Sequence, residues 1–228
     1  GLFPDFIRST TEELEKSGEA NYLVSVFSDN AGIVRYDEKM DVCVKVETHN
    51  SPSALDPYGG ALTGILGVNR DILGTGIGAK PIANMDVFCF ADKTLADRVG
   101  LPDRILHPSR VLEGVHLGVE DGGNKSGIPT INGSIHFDDS YAGKPLVYVG
   151  TIGALPPSTE HYPQTHLKNQ KAGDYIVVAG GRVGSDGIHG ATFSSLALDE
   201  NAPATAVQIG DPFTEKLLLE ACLELMAG

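Results

Sequence analysis

The run Lys45-Val46-Glu47-Thr48-His49-Asn50-Ser51-Pro52 places a cation, a carboxylate and an imidazole at every second position. In an extended chain alternate side chains share a face, so Lys45, Glu47 and His49 point one way and Val42, Val44 and Val46 the other. The ammonium suits a phosphate, the carboxylate suits a hard divalent cation, and the imidazole suits proton transfer near neutral pH. The competing reading is a solvated strand face, which shows the same alternation.

A second set lies in GVNRDILGTG, where Arg70 and Asp71 sit between Gly67 and Gly74. The glycines permit close approach of a ligand or another backbone, although adjacent Arg and Asp are also a common surface ion pair. In VQIGDPFTEK, Asp211 precedes Pro212, as a helix N-cap does, and its carboxylate also suits a metal; the residues alone leave both roles open. The helix starting near Tyr58-Gly59-Gly60 offers free N–H groups to an anion. His107, His116, His136, His161 and His166 show no metal-ligand spacing and read as structural or surface residues. The segments GGRVGSDGIHGATF and VQIGDPFTEK match neither GxxxxGK[ST] nor GxGxxG, which disfavours the corresponding nucleotide folds.

The elements that must hold these residues are an α/β mixture. Helical spacing predicts a helix from Phe6 to Ser17, closed by Gly18. Strand patterns follow at Tyr22 to Phe27, Ile33 to Tyr36 and Asp41 to Thr48, with Asp29-Asn30-Ala31-Gly32 as turn material. A helix with one apolar face is expected from Gly60 to Leu73, and a strand from Ile82 to Phe90. A helix after Pro108 should bury Val111, Leu112, Val115 and Val119, and strands should follow at Pro129 to Phe137 and Leu146 to Ile152. Leu155 to Lys171 reads as a linker or long surface loop, Asp174 to Ala179 as a short apolar strand, Gly180 to Ala191 as a glycine-rich turn system, and Asp211 to Met226 as a helix.

With 228 residues, 41% of them hydrophobic, and a mean hydropathy of -0.04, the chain can bury a core; the length fits one domain plus part of another. Thirty Asp and Glu against 17 Lys and Arg leave a net charge of -13, which repels nucleic acid and anionic membrane surfaces. Any phosphate bound here therefore needs a local cation or placed N–H groups. Cys43, Cys89 and Cys222 are unmatched in spacing and read as reduced thiols. No apolar run approaches the roughly 18 residues of a spanning helix, and the first residues carry no signal pattern, so a cytoplasmic protein is expected.

The strings DNAGIVRYD, VCVKVETHNSPSALDPYGGALTGILGVNRDILGTGIGAKPI, GNKSGIPT, GKPLVYVGTIG, GRVGSDGIHGATF and VQIGDPFTEKLLLEACLE, in this order, resemble the formylglycinamidine ribonucleotide synthetase (phosphoribosylformylglycinamidine synthase) family. The resemblance runs from about Leu23 to the last residue and extends to the wider group that includes aminoimidazole ribonucleotide synthetase. It implies an N-terminal α/β domain whose mixed or antiparallel sheet pairs into a dimer barrel, here residues 1–155. Residues 156–172 would be a linker and 173–228 the truncated start of a C-terminal α/β domain that closes over ATP.

For the site, the resemblance implies ATP and Mg2+ as cofactors. Lys45 would contact ATP phosphate, Glu47 one magnesium ion, and Asp71 and Asp211 a second. Thr48, His49, Asn50, Ser51, Arg70 and Gln208 would lie against the substrate, with His49 as proton acceptor. The implied reaction converts formylglycinamide ribonucleotide to the amidine through an iminophosphate, using ammonia that a glutaminase domain or subunit releases from glutamine. A homodimer is implied through the N-terminal domain, and this chain by itself is expected to turn over little. Two departures stand out: Ser51 replaces a frequent histidine in THNHP, and Asn132-Gly133-Ser134 replaces a frequent GGE. They leave open a sister ATP-dependent phosphotransferase with another acceptor, and a non-catalytic dimerisation or regulatory domain.

Overall fold

Strands β3 (Asp41–Thr48) and β6 (Leu146–Leu155) pair antiparallel, from Asp41 opposite Leu155 to Thr48 opposite Tyr148, at the centre of a six-stranded sheet. This is a computed structural model, and it describes residues 1–103, 105–185, 187–188 and 207–227. With β1 (Leu23–Ser25), β2 (Gly32–Arg35), β4 (Lys80–Phe90) and β5 (Thr130–Phe137), the order across the sheet is β1-β2-β3-β6-β4-β5. Only β4 and β5 run parallel, which requires a crossover between them. Helices α4 (Leu95–Val99) and α5 (Pro108–Ser126) lie in that crossover.

Ahead of the sheet, a π-helical turn (Phe3–Arg8) leads into α1 (Ser9–Ser17), which stops at Gly18. Helix α2 (Asn50–Leu55) follows β3 directly, and α3 (Pro57–Leu73) follows α2 after one residue, Asp56. Asp56 starts α3 by accepting the Gly59 N–H at 3.2 Å, and Pro57, which has no N–H to lose, takes the first position. Helix α6 (Pro212–Ala227) packs against α3 and α5.

The core lies between the sheet and the α3–α5 pair. Ala61, Ile65 and Val68 of α3 meet Val111 and Val115 of α5 and Phe90, Val147 and Val149 of the sheet. Full burial of each larger side chain contributes about 1.5–3 kcal/mol. Two expectations about these helices need correcting. Helix α3 does not present one apolar face: it is buried on nearly every side, because the sheet, α5, α2 and α6 all pack against it. On α5, Val111 and Val115 are buried as expected, whereas Leu112 and Val119 sit only partly covered at the margin.

The two faces of the sheet differ. Asp41 and Cys43 on the inner face are fully buried, while Val44 and Val46 on the outer face are 40% and 37% exposed. The polar face of β3 is therefore the one beneath the helices, and the valines face outward. Among the described residues no helix covers that outer face, which also carries Met85, Val87, Tyr148 and Ile152 through the strand registers. On the inner face, the Thr151 hydroxyl lies 2.8 Å from both Asn69 Oδ1 and Asn84 Oδ1. Its single proton can serve only one of them.

Residues 156–170 have no regular structure, yet they are not loose: Thr165 is buried, and its carbonyl accepts the Ile77 N–H at 2.8 Å, just beyond α3. The expected strand at Asp174 to Ala179 is absent; Tyr175 to Val178 are almost fully exposed, and an extended segment becomes a strand only with a neighbour to bond. Part of the expected turn system from Gly180 to Ala191, namely 186 and 189–191, lies outside the described residues. All three cysteines are free, and burial, with Asp41 and Asp29 adding to it, pushes the Cys43 thiol up to about 12.

Candidate active site

Lys45 is the centre of the site. Its ammonium lies 3.1 Å from Glu47 Oε1 on the same strand and 2.9 Å from Asp71 Oδ2 in the last turn of α3. Alternation along β3 turns Lys45 and Glu47 inward, and the run of α3 across the inner face delivers Asp71 to the same point. Burial works against the charge on Lys45, but the Asp71 and Glu47 carboxylates outweigh it and hold its pKa above the ordinary lysine value. The alternative of a solvated strand face is thereby corrected: these side chains are partly buried and joined to a helix. One cation between two carboxylates leaves a local charge of about -1, which by itself repels a polyphosphate.

His49 leaves the strand at the same end. Its N–H donates to the Val147 carbonyl at 2.7 Å, and it forms the N-terminal boundary of α2. A Cβ added at Gly60 would stand 2.4 Å from the Ser53 nitrogen, so that close approach requires glycine, and one at Gly64 would stand 3.1 Å from His49 Cγ, so the ring packs tightly against α3. Burial lowers the His49 pKa, and the opposing effects of the Gly60 backbone and Glu47 do not overcome it. The imidazole is thus neutral near pH 7, and its buried Nδ1 has no hydrogen-bond partner among the described residues. A neutral imidazole can accept a proton.

The remaining residues singled out from the sequence are dispersed. Asn50 Oδ1 accepts the Val147 N–H at 2.8 Å and so ties α2 to β6. Ser51 is fully buried in α2, and Thr48 pairs with Tyr148 on the outer face of the sheet, away from Lys45. Arg70 points toward α6, where its guanidinium lies 3.5 Å from Glu215. Burial raises the Glu215 pKa to about 7 against the pull of Arg70. The Gln208 carbonyl accepts the Thr63 hydroxyl at 2.5 Å, which lays this segment along α3. Asp211 caps α6, accepting the Phe213 and Thr214 N–H groups at 3.0 and 3.2 Å; the Thr214 N–H, foremost, holds its pKa below the usual range. Among the described residues no group of three or more His, Cys, Asp and Glu side chains is gathered as a metal site.

The model of the AIR synthase related protein N-terminal domain matches residues 28–155, more than half of the sequence. The chain belongs to the AIR synthase related family. The C-terminal domain model of the same family matches residues 171–228. Among relatives, the chain is 43% identical to phosphoribosylformylglycinamidine synthase subunit PurL of Thermococcus kodakarensis, covering 90% of this chain and 27% of that protein. It is 40% identical to the subunit of the same name from Chlorobaculum tepidum, covering 91% of this chain and 26% of that protein. Thermotoga maritima PurL complexed with FGAR superposes with a TM-score of 0.66 at 32% identity, covering 95% of this chain and 32% of the other. The same protein complexed with ATP gives 0.63 at 30% identity, covering 98% and 33%. The chain thus spans about a quarter to a third of the length of these relatives.

Within this AIR synthase related chain, four residues join the site that sequence reasoning did not select. Asn30 Nδ2 donates to Asp71 Oδ1 at 3.0 Å. Lys168 donates to Asn30 Oδ1 at 3.1 Å and, in a shorter contact, to Asp29 Oδ1. Asp29 Oδ2 accepts the Gly76 N–H at 2.8 Å. Glu215, the fourth, backs Arg70. Asp29 and Asn30 carried the signature of a turn, which is also what they are. Lys168 lies in a stretch without periodicity, and nothing local to it marks a long-range contact.

Proposed function

We propose that this chain is part of an ATP-dependent ligase that converts formylglycinamide ribonucleotide to formylglycinamidine ribonucleotide in purine biosynthesis, with Lys45, Glu47 and Asp71 at the triphosphate end of ATP. The observation that carries the reading is the Lys45 ammonium bridging carboxylates from a strand and a helix, with His49 at the end of the same strand. The family match, and the likeness to PurL proteins solved with FGAR and with ATP, support it.

The residues fit magnesium. Glu47 and Asp71 are hard oxygen donors, and added positive charge beside the two carboxylates would strengthen the hold on a triphosphate. Glu47 would hold one ion and Asp71 a second, to which the resemblance adds Asp211, although its carboxylate here serves as the cap of α6; bound magnesium would offset charge on the transferring phosphoryl group. Lys45 would bind a phosphate oxygen directly. Arg70, steadied by Glu215, would contact the substrate phosphate or amide region, and Gln208, Asn50 and Ser51 would line the substrate side; Thr48, on the outer face of the sheet, is not among them.

In the proposed reaction, the substrate amide oxygen takes the terminal phosphoryl group of ATP, giving ADP and an iminophosphate. Ammonia then adds to the amide carbon, and phosphate departs with the former amide oxygen. The amide proton released in the first step and an ammonia proton released in the second need an acceptor, and His49 is placed and neutral for that role. A glutaminase domain or subunit would deliver the ammonia. We place the N-terminal unit at 1–155, the joining segment at 156–172 and the start of the C-terminal unit at 173–228. The uncovered apolar face of the sheet supports a homodimer, and the free cysteines suit a reducing, cytosolic compartment.

The test supplies the full-length protein with ATP, magnesium, formylglycinamide ribonucleotide and ammonia. ADP release that requires both the ribonucleotide and ammonia is expected, with a drop of about 10²–10⁴-fold in His49→Ala. Release no greater than in that variant would end the reading.

A further inference from the structure

We propose that Asn30 is a positioning residue for the nucleotide site: it orients Asp71, and Lys168, from the segment between the two family-matched regions, fixes Asn30 in turn. The inference rests on the reading of Asp71 as a magnesium ligand, and it concerns how that carboxylate is aimed.

Asp71 has two carboxylate oxygens, and each has a partner. Oδ2 accepts from Lys45 at 2.9 Å, and Oδ1 accepts from Asn30 Nδ2 at 3.0 Å. Two donors on opposite oxygens set the rotation of the carboxylate plane, which Lys45 alone would leave free. Asn30 sits on the turn between β1 and β2, with Ala31 buried directly behind it. Its amide has a donor end and an acceptor end, and only one orientation offers N–H to Asp71. The Lys168 ammonium, 3.1 Å from Asn30 Oδ1, selects that orientation, because it would repel the NH2 end.

Lys168 is itself held. Its ammonium also contacts Asp29 Oδ1, while Asp29 Oδ2 takes the Gly76 N–H beyond α3. Burial opposes ionisation of Asp29, but the Lys168 and backbone hydrogen bonds prevail, so the carboxylate stays charged. The backbone just before Lys168 is pinned where the Thr165 carbonyl accepts the Ile77 N–H at 2.8 Å. A continuous polar chain therefore runs from Lys168 through Asn30 and Asp71 to Lys45 and Glu47. Groups that hydrogen-bond a ligating carboxylate typically change metal affinity by about 10–100-fold when removed.

The bland alternative is a staple that holds the turn to the joining segment and does nothing for the metal. Calorimetry on the full-length protein separates the two by measuring ATP affinity without magnesium, magnesium affinity at saturating ATP, and the melting temperature. Asn30→Ala is expected to weaken magnesium about 10–100-fold, with little change in magnesium-free ATP affinity. Asn30→Leu keeps the bulk but donates nothing to Asp71 and should lose as much; Lys168→Ala should lose less, in the same direction. Asp71→Asn is the reference. If it weakens magnesium while both Asn30 variants bind like wild type, the positioning role is wrong. If Asp71→Asn changes nothing, the underlying assignment of Asp71 is wrong. Early melting with equal losses in both affinities identifies a staple and overturns the proposal.

Discussion

The Lys45 ammonium lies 2.9 Å from Asp71 Oδ2, so the central strand and the most buried helix of this chain share one charged contact. Removing the cation leaves Glu47 and Asp71 without the charge between them and deprives a phosphate of its direct partner. Lys45→Met is expected to weaken nucleotide binding by about 10–100-fold, the worth of one charge-assisted hydrogen bond. Calorimetric titration of the full-length protein with ATP and magnesium checks this; unchanged affinity would remove Lys45 from the site.

Glycine at positions 60 and 64 has separable consequences. A Cβ at Gly60 would run into the backbone of Ser53 and Pro52, which cannot swing aside, so Gly60→Ala should destabilise by about 1–3 kcal/mol. At Gly64 the obstacle is the His49 ring, which can shift by a few tenths of an ångström. Gly64→Ala should therefore lose turnover more than melting temperature, and thermal melts beside initial rates distinguish the two variants.

Asp86, buried on β4, carries a pKa pushed up to about 6 by burial, with the Gly150 N–H and Thr130 opposing. A carboxyl whose folded pKa exceeds its ordinary value near 3.8 contributes stability that is complete below that value and is lost as pH rises through about 6. The shift corresponds to roughly 3 kcal/mol at most. Urea unfolding at several pH values between 4 and 7 should show a slope that Asp86→Asn flattens, and parallel curves for the two proteins would contradict the assignment.

Arg70 and Glu215 predict an asymmetry. Above pH 7, where Glu215 is ionised, Arg70→Ala leaves a largely buried carboxylate without its cation, whereas Glu215→Gln removes the charge and keeps the shape. The first should destabilise by about 1–3 kcal/mol and the second by less. Melting temperatures of the two variants decide it, and the reverse order would mean that Arg70 does not support Glu215.

Much of the fold was legible because its signals are local. The alternation from Asp41 to Thr48 marked β3 to the residue, and Asp211 with Pro212 marked the start of α6. What was not legible depends on neighbours. The burial of α3 on nearly every side reflects layers that no single-helix pattern reveals, and Asp174 to Ala179 reads as a strand but has no strand beside it among the described residues. In the site, alternation correctly grouped Lys45 with Glu47, and by the same rule it places Thr48 on the opposite face. Asn30 and Lys168 were hidden because a turn residue and a loop lysine acquire their significance only from a contact across the chain.

The chemistry is tested most directly by the fate of one oxygen atom. Full-length protein would be given formylglycinamide ribonucleotide labelled with ¹⁸O at the reacting amide, together with ATP, magnesium and ammonia, and the phosphate released would be examined by mass spectrometry. One ¹⁸O in the inorganic phosphate is expected for each amidine formed, since the amide oxygen leaves on phosphorus. Amidine formation with unlabelled phosphate would contradict it.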